Sequence, residues 1–134
     1  MAPYTFPCRL RWSDMDMNRH INNALYATFL EESRLSMFAD LVPEDPRVRM
    51  VNNFLVAEQS MKFTRQLVYR PEPVSVIMSV AEVRAAAFTL ECEIRDEEHT
   101  YLTAETLIVA FDLAMNRVRR LTDGEIRSLS RYQG

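Results

Sequence analysis

The sequence has 134 residues, 48% hydrophobic and 26% charged, which fits one globular domain with a modest core. Its formal net charge is −3 and its basic side chains are scattered, with Arg117-x-Arg119-Arg120 the densest group; a general nucleic-acid face is disfavoured, because phosphate neutralisation needs many aligned cations. No apolar run reaches the roughly 18 residues of a membrane span, and Met1-Ala2-Pro3-Tyr4 lacks the basic-then-apolar plan of a signal peptide, so a cytoplasmic location is expected.

Residues 4–12 alternate, with Cys8, Leu10 and Trp12 on one side and Arg9 and Arg11 on the other, as in a half-buried strand. A polar cluster runs from Ser13 to Asn23. The stretch Ala24 to Phe38 then reads as an amphipathic helix extending to about Ala39 or Asp40, with Tyr26, Phe29, Leu30, Ser33 and Met37 in one buried stripe. An Asn at position 22 or 23 can accept from the first free N–H groups. The polar cluster therefore feeds the positive end of a helix dipole, where backbone N–H groups point outward. Pro43-Glu44-Asp45-Pro46 closes the helix and turns the chain.

From there the period changes to two. Residues 48–57 and 58–69 predict one or two strands, with Met61, Phe63, Leu67 and Tyr69 at the apolar positions. Arg70-Pro71-Glu72-Pro73 is a turn. Residues 74–84 place Val74, Val76, Met78 and Val80 on one face. Residues 87–95 alternate most cleanly, with Phe88, Leu90, Cys92 and Ile94 inward. Asp96-Glu97-Glu98-His99 turns the chain into a long strand, 100–112, whose segment Leu107 to Phe111 is apolar on both faces and so is expected to be central. A turn at Ala114-Met115-Asn116, a short strand near Val118 and a C-terminal helix opened by the capping box Thr122-x-x-Glu125 complete the chain.

One early helix followed by long strands is an α+β layout, with the helix stripe needing a sheet to cover it. Cys8 and Cys92 fall in apolar alternation and read as buried free thiols; with His20 and His99 far apart they give no metal-ligand spacing. Gly124 and Gly134 are the only glycines, which excludes a Walker loop, a dinucleotide fingerprint and a nucleophile elbow.

The motif Asp14-x-Asp16-x-Asn18-x-His20-Ile21-Asn22-Asn23-Ala24-x-Tyr26, ending in Leu30-Glu31-Glu32-x-Arg34, resembles the signature of hotdog-fold acyl thioesterases. The nearest branches are the 4-hydroxybenzoyl-CoA thioesterase-like group and the acyl-ACP thioesterases, with Ile21 where Val is usual. The resemblance implies a single hotdog domain over residues 1–134, a long helix wrapped by an antiparallel sheet. It implies hydrolysis of acyl-CoA or acyl-ACP to a free acid without metal or organic cofactor. It also implies Asp16 as the essential carboxylate, acting as general base or nucleophile, with Asn18 and His20 in the site and the backbone N–H of Asn23 receiving the oxyanion.

The chemistry agrees with that assignment. An aspartate side chain ordinarily titrates near pH ~3.9, so its carboxylate is available as a base at neutral pH. Against this, an aspartate in a loop often only caps a turn, and His20 can cap the helix start. Asp14 is read chiefly as an ion-pair partner of Arg9 or Arg11. Glu31 and Glu32 are read as supporting charges that can pair with Arg34, and Lys62, Arg65 and Arg84 are candidates for the phosphates of a pantetheine carrier. Pro71-Glu72-Pro73 replaces the usual Gly-Asp of the family, so the carrier is not inherited. Two rival readings keep the fold: a non-hydrolytic acyl-carrier-binding protein, and a dehydratase, which would need a helix His that this chain lacks. A homodimer joined edge to edge, or a tetramer of such dimers, is expected, with sites between subunits.

Overall fold

The structure is a computed structural model, and it describes residues 2–39 and 53–134. Asp40, the expected turn at Pro43–Pro46 and the first part of the strand expected from 48 lie outside the described residues. Strand β1 (Tyr4–Cys8) is followed by a 3-10 turn (Trp12–Asp14), a second 3-10 turn (Asn23–Leu25) and helix α1 (Tyr26–Phe38). Strands β2 (Asn53–Phe63), β3 (Val74–Val83), β4 (Ala87–Arg95), β5 (Thr100–Asp112) and β6 (Arg117–Val118) follow, then helix α2 (Asp123–Ser130). All named strands pair antiparallel in the order β1-β3-β4-β5-β2, with β6 also on β5. This is the α+β hotdog arrangement, a curled sheet against one long helix.

Register explains the core. Tyr4, Met78, Cys92, Ala104 and Met61 pair in one row across five strands. Rows two residues away share that face, so Val74, Val76, Val80, Phe88, Leu90, Ile94, Leu102 and Ile108 are all sealed beneath α1. The helix returns Tyr26, Phe29, Leu30, Ser33 and Met37, the whole expected stripe, plus Arg34. Ser33 is tolerated there because its hydroxyl donates to the Phe29 carbonyl at 2.8 Å. Burial pushes the thiols of Cys8 and Cys92 up to about 11 and about 12, so both stay neutral.

Two local differences from the sequence reading have physical causes. The first strand stops at Cys8, and Trp12 is 72% exposed rather than inward, because a 3-10 turn starts there under the pull of Asp14. The second strand ends at Phe63, where Thr64 and Arg65 both direct their N–H groups to the Tyr101 carbonyl and leave the ladder. Leu67 is buried as expected, but from a loop. The strand expected to be central, β5, is interior, flanked on both sides by β4 and β2.

Candidate functional site

The motif folds as a tight hairpin leading into α1. Met15 and Ile21 form an antiparallel bridge, Asp16 N–H donates to the His20 carbonyl at 3.0 Å, and Arg19 N–H to the Asp16 carbonyl at 2.9 Å. Closing so short a loop places Arg19 at φ 62°, a left-handed conformation costly for a residue with a side chain. The loop is anchored at both ends. Ile21, 2% exposed, donates its N–H to the Leu67 carbonyl at 2.7 Å, and Asn22 donates to the Asp14 carbonyl at 3.0 Å.

Asp14 and Asp16 are two residues apart and in opposite situations. Asp14 is 3% exposed and accepts from Arg11 three times: from its backbone N–H at 2.8 Å, from Nε at 3.1 Å and from Nη2 at 3.0 Å. It is a structural anchor, as its place near Arg11 suggested. Asp16 is half-buried; its Oδ1 accepts the Asn18 N–H at 2.9 Å in an Asx-turn, and its Oδ2 takes no hydrogen bond from the described residues. The turn fixes the carboxylate's orientation while leaving one oxygen for a ligand or water.

Asn22 caps the helix entry, its Oδ1 accepting the Ala24 N–H at 2.9 Å. Asn23 is the first residue of the 3-10 turn that runs into α1, and no acceptor among the described residues takes its N–H. Such an N–H at a helix start is a donor held ready for an anion.

Asp16, Asn18, His20 and Asn23 line one open cleft of about 800 Å³. Tyr26 forms its floor with Phe63 of β2, ring edge to ring face at 5.3 Å, and burial raises the Tyr26 pKa. Thr64, Arg65 and Leu67, from the loop after β2, close the far side. The cleft thus combines an oriented carboxylate, an imidazole, a helix-start N–H and an aromatic wall. That set can hold a carbonyl, deprotonate a water beside it and receive negative charge on its oxygen.

Of the three cations singled out in the sequence, only Arg65 reaches this cleft within one chain. Lys62 lies on the opposite face of the sheet, in a hollow shared with Glu91, Glu93 and Glu105, because it is one residue out of phase with Phe63. Arg84 sits beyond the end of β3, paired with Glu82 at 2.9 Å. That end of the sheet holds Ile108, whereas the cleft adjoins Leu102; six residues of β5 separate them by roughly 20 Å.

A support for the cleft escaped the sequence reading. Arg70, in the same loop as Leu67, binds Asp96 at 3.1 Å and Glu97 at 3.3 Å. Asp96 also accepts the Tyr101 hydroxyl and, at 2.8 Å each, the N–H groups of Glu98 and His99. The Tyr101 hydroxyl, then those N–H groups and Arg70, hold the Asp96 carboxyl well below the usual carboxylate range. Burial and Asp96 in turn push Tyr101 up to about 12. Asp96 within a polar turn was the only hint the sequence offered. Among the described residues no group of three or more His, Cys, Asp or Glu is placed to hold a metal.

Solved structures share this fold. A predicted thioesterase from Bacillus stearothermophilus superposes with a TM-score of 0.89 at 20% identity, covering 99% of this chain and 98% of its own. A thioesterase from Thermus thermophilus, complexed with coenzyme A and Zn, matches with a TM-score of 0.81 at 17% identity over 97% and 93% of the two chains. A Staphylococcus aureus protein in complex with CoA matches with a TM-score of 0.86 at 12% identity over 98% and 86%. No curated protein matches the chain. The family model of the thioesterase-like superfamily matches residues 10–124, a span that contains the motif hairpin, α1 and every strand that walls the cleft, and the chain belongs to that superfamily.

Proposed function

We propose that the chain hydrolyses acyl thioesters, releasing a free acid and the carrier thiol. The observation that carries this reading is the meeting of Asp16, His20 and the Asn23 N–H in one cleft, with one Asp16 oxygen oriented and the other uncommitted. In the proposed reaction a water beside Asp16 passes a proton to the carboxylate and attacks the thioester carbonyl carbon. The oxygen becomes an oxyanion and accepts from the Asn23 N–H at the start of α1. Collapse breaks the C–S bond, and the sulfur leaves as a thiol by taking the proton that Asp16 received, which returns the carboxylate to its starting state. Asn18 and His20 position the water or polarise the carbonyl.

Coenzyme A is the favoured carrier, because two proteins of the same fold were solved with it. Arg65 at the cleft rim is the cation we assign to its phosphates. Two copies joined along β2 would wall the cleft. The decisive experiment follows thiol release from a panel of acyl-CoAs for the parent and Asp16→Asn. Loss of a general base costs about 10²–10⁴ in rate, so Asp16→Asn is expected to remain folded and nearly inactive, with KM little changed. Hydrolysis by Asp16→Asn at the parent rate overturns the mechanism. Thioester binding without thiol release by the parent would instead favour a non-hydrolytic carrier-binding protein.

A further inference from the structure

A second hollow lies on the same seam between α1 and β2. Ala27, Glu31 and Arg34 recur at i, i+4 and i+7 on one flank of α1, facing Val56 and Gln59 of β2 across an open groove of about 270 Å³. Arg34 is only 6% exposed, yet it donates a single hydrogen bond among the described residues, from Nη1 to Gln59 Oε1 at 2.9 Å. That oxygen is shared with the Thr106 hydroxyl at 3.0 Å. A guanidinium has five N–H donors, and no carboxylate of the described residues forms a close ion pair with this one; exposed Glu31, one turn back, attracts it only at longer range. Among the described residues no sealed side-chain nitrogen or oxygen is left without a partner, so the remaining Arg34 donors keep some access to solvent, and Arg34 lines the groove.

A buried cation whose one hydrogen-bond partner among the described residues is a neutral amide is held better once an anion joins it. Burial already pulls the Arg34 pKa below its usual value. The groove and the cleft lie on the same α1–β2 seam: Tyr26 and Phe63 wall the cleft, while the next helix residue, Ala27, walls the groove with Gln59 and Val56. Eight helical residues from Tyr26 to Arg34 span about 12 Å, a distance a medium-length linear acyl chain can bridge. Resting on the thioesterase reading, we propose that this groove receives the distal end of the acyl group and that Arg34 binds a carboxylate there, so that the preferred substrates are thioesters of ω-carboxyl acids.

The test compares octanoyl-CoA with suberyl-CoA, which have the same chain length and differ in the terminal carboxyl. The parent is expected to favour suberyl-CoA in kcat/KM by about 10–100-fold, the range for a charge-assisted hydrogen bond. In Arg34→Gln the preference should collapse while octanoyl-CoA turnover holds. Equal or better use of octanoyl-CoA by the parent overturns the proposal. So does a parallel fall for both substrates in a folded Arg34→Gln, or loss of self-association in that variant with the substrate ratio kept, which would assign the anion to a second copy of the chain. Should Arg34→Gln fail to fold, Arg34→Lys and the parent ratio decide. If neither thioester releases thiol, the hydrolase reading fails separately, and calorimetry on the parent still decides this one: tighter suberyl-CoA binding supports it and equal binding overturns it.

Discussion

The contrast between Asp14 and Asp16 shows how little the residue type alone settles. Both carboxylates fall in one loop of polar residues, yet one is saturated by Arg11 and the other keeps an oxygen uncommitted. Asp14→Asn is therefore expected to lower stability by about 1–3 kcal/mol, the range for a buried hydrogen-bonded group, visible as a fall in Tm, with thiol release per folded molecule nearly kept. His20→Asn should do the opposite. Its imidazole lines the cleft, and loss of a polarising group is expected to lower kcat by roughly 10-fold with Tm unchanged; an unchanged kcat removes His20 from the machinery. Asp96 gives a signed pH dependence. Its folded pKa lies below the unfolded value, so its stabilisation is complete above about pH 4 and is lost as pH falls further. Tyr101 is raised from 10.0 to about 12, so its share is complete below pH 10 and is lost as pH rises through 12. In urea melts, Asp96→Asn should flatten the acid limb; a parent stability constant from pH 5 to about pH 2 contradicts this network. The motif residues were legible because their mix is long and chemically specific. The burial of Arg34 and the role of Asp96 were not, since burial of an arginine and convergence of Arg70 with Tyr101 depend on contacts between distant segments.

Elements were read best where periodicity is driven by a one-sided core. The β3 and β4 patterns and the α1 stripe match their buried faces residue by residue, because each packs one face on the same layer. Reading was poorer at ends, where a hydrogen bond from elsewhere decides: Asp14 ends the β1 alternation, and the Tyr101 carbonyl draws Thr64 and Arg65 off the β2 ladder. The capping box of α2 was visible as Thr122-x-x-Glu125 and forms with Oγ1 accepting at 3.1 Å and Oε1 accepting at 2.8 Å. What the sequence could not show is that Glu125, 3% exposed, also grips Arg119 through both oxygens at 2.8 and 2.9 Å. Arg119 in turn donates to the Asn53 and Phe111 carbonyls, so the short helix is tied to β2 and β5. Thr122→Ala is expected to cost about 1 kcal/mol. Glu125→Ala should cost more, about 3–5 kcal/mol, because it leaves a mostly buried guanidinium without its partner. Equal shifts in chemical denaturation would show that Glu125 serves α2 alone.

At the scale of the molecule, the sheet has two unequal edges. β1 is five residues long and carries Pro7, which lacks an N–H, so it is a poor template for another strand. β2 is eleven residues long, pairs with β5 alone among the described residues, and exposes Leu55, Val56 and Phe63 at 44%, 47% and 47%. A long edge with apolar side chains is a hazard for a monomer, because its free N–H and C=O groups invite a further strand. The same strand supplies Phe63 to the cleft and Gln59 to the Arg34 groove, so whatever pairs with it borders both hollows. We therefore expect a homodimer in which the β2 strands of two copies run antiparallel about a twofold axis, giving one continuous sheet. Sedimentation velocity at micromolar concentration should report a dimer for the parent, and the double substitution Leu55→Lys with Val56→Lys should give a folded monomer, since like charges facing across the twofold repel. If the cleft is completed by the second copy, that monomer should also lose thiol release, and mixing it with an excess of Asp16→Asn chains should not restore it. A parent that sediments as a monomer would refute the assembly, and a charged-edge monomer with full activity would place every group the chemistry needs within one chain.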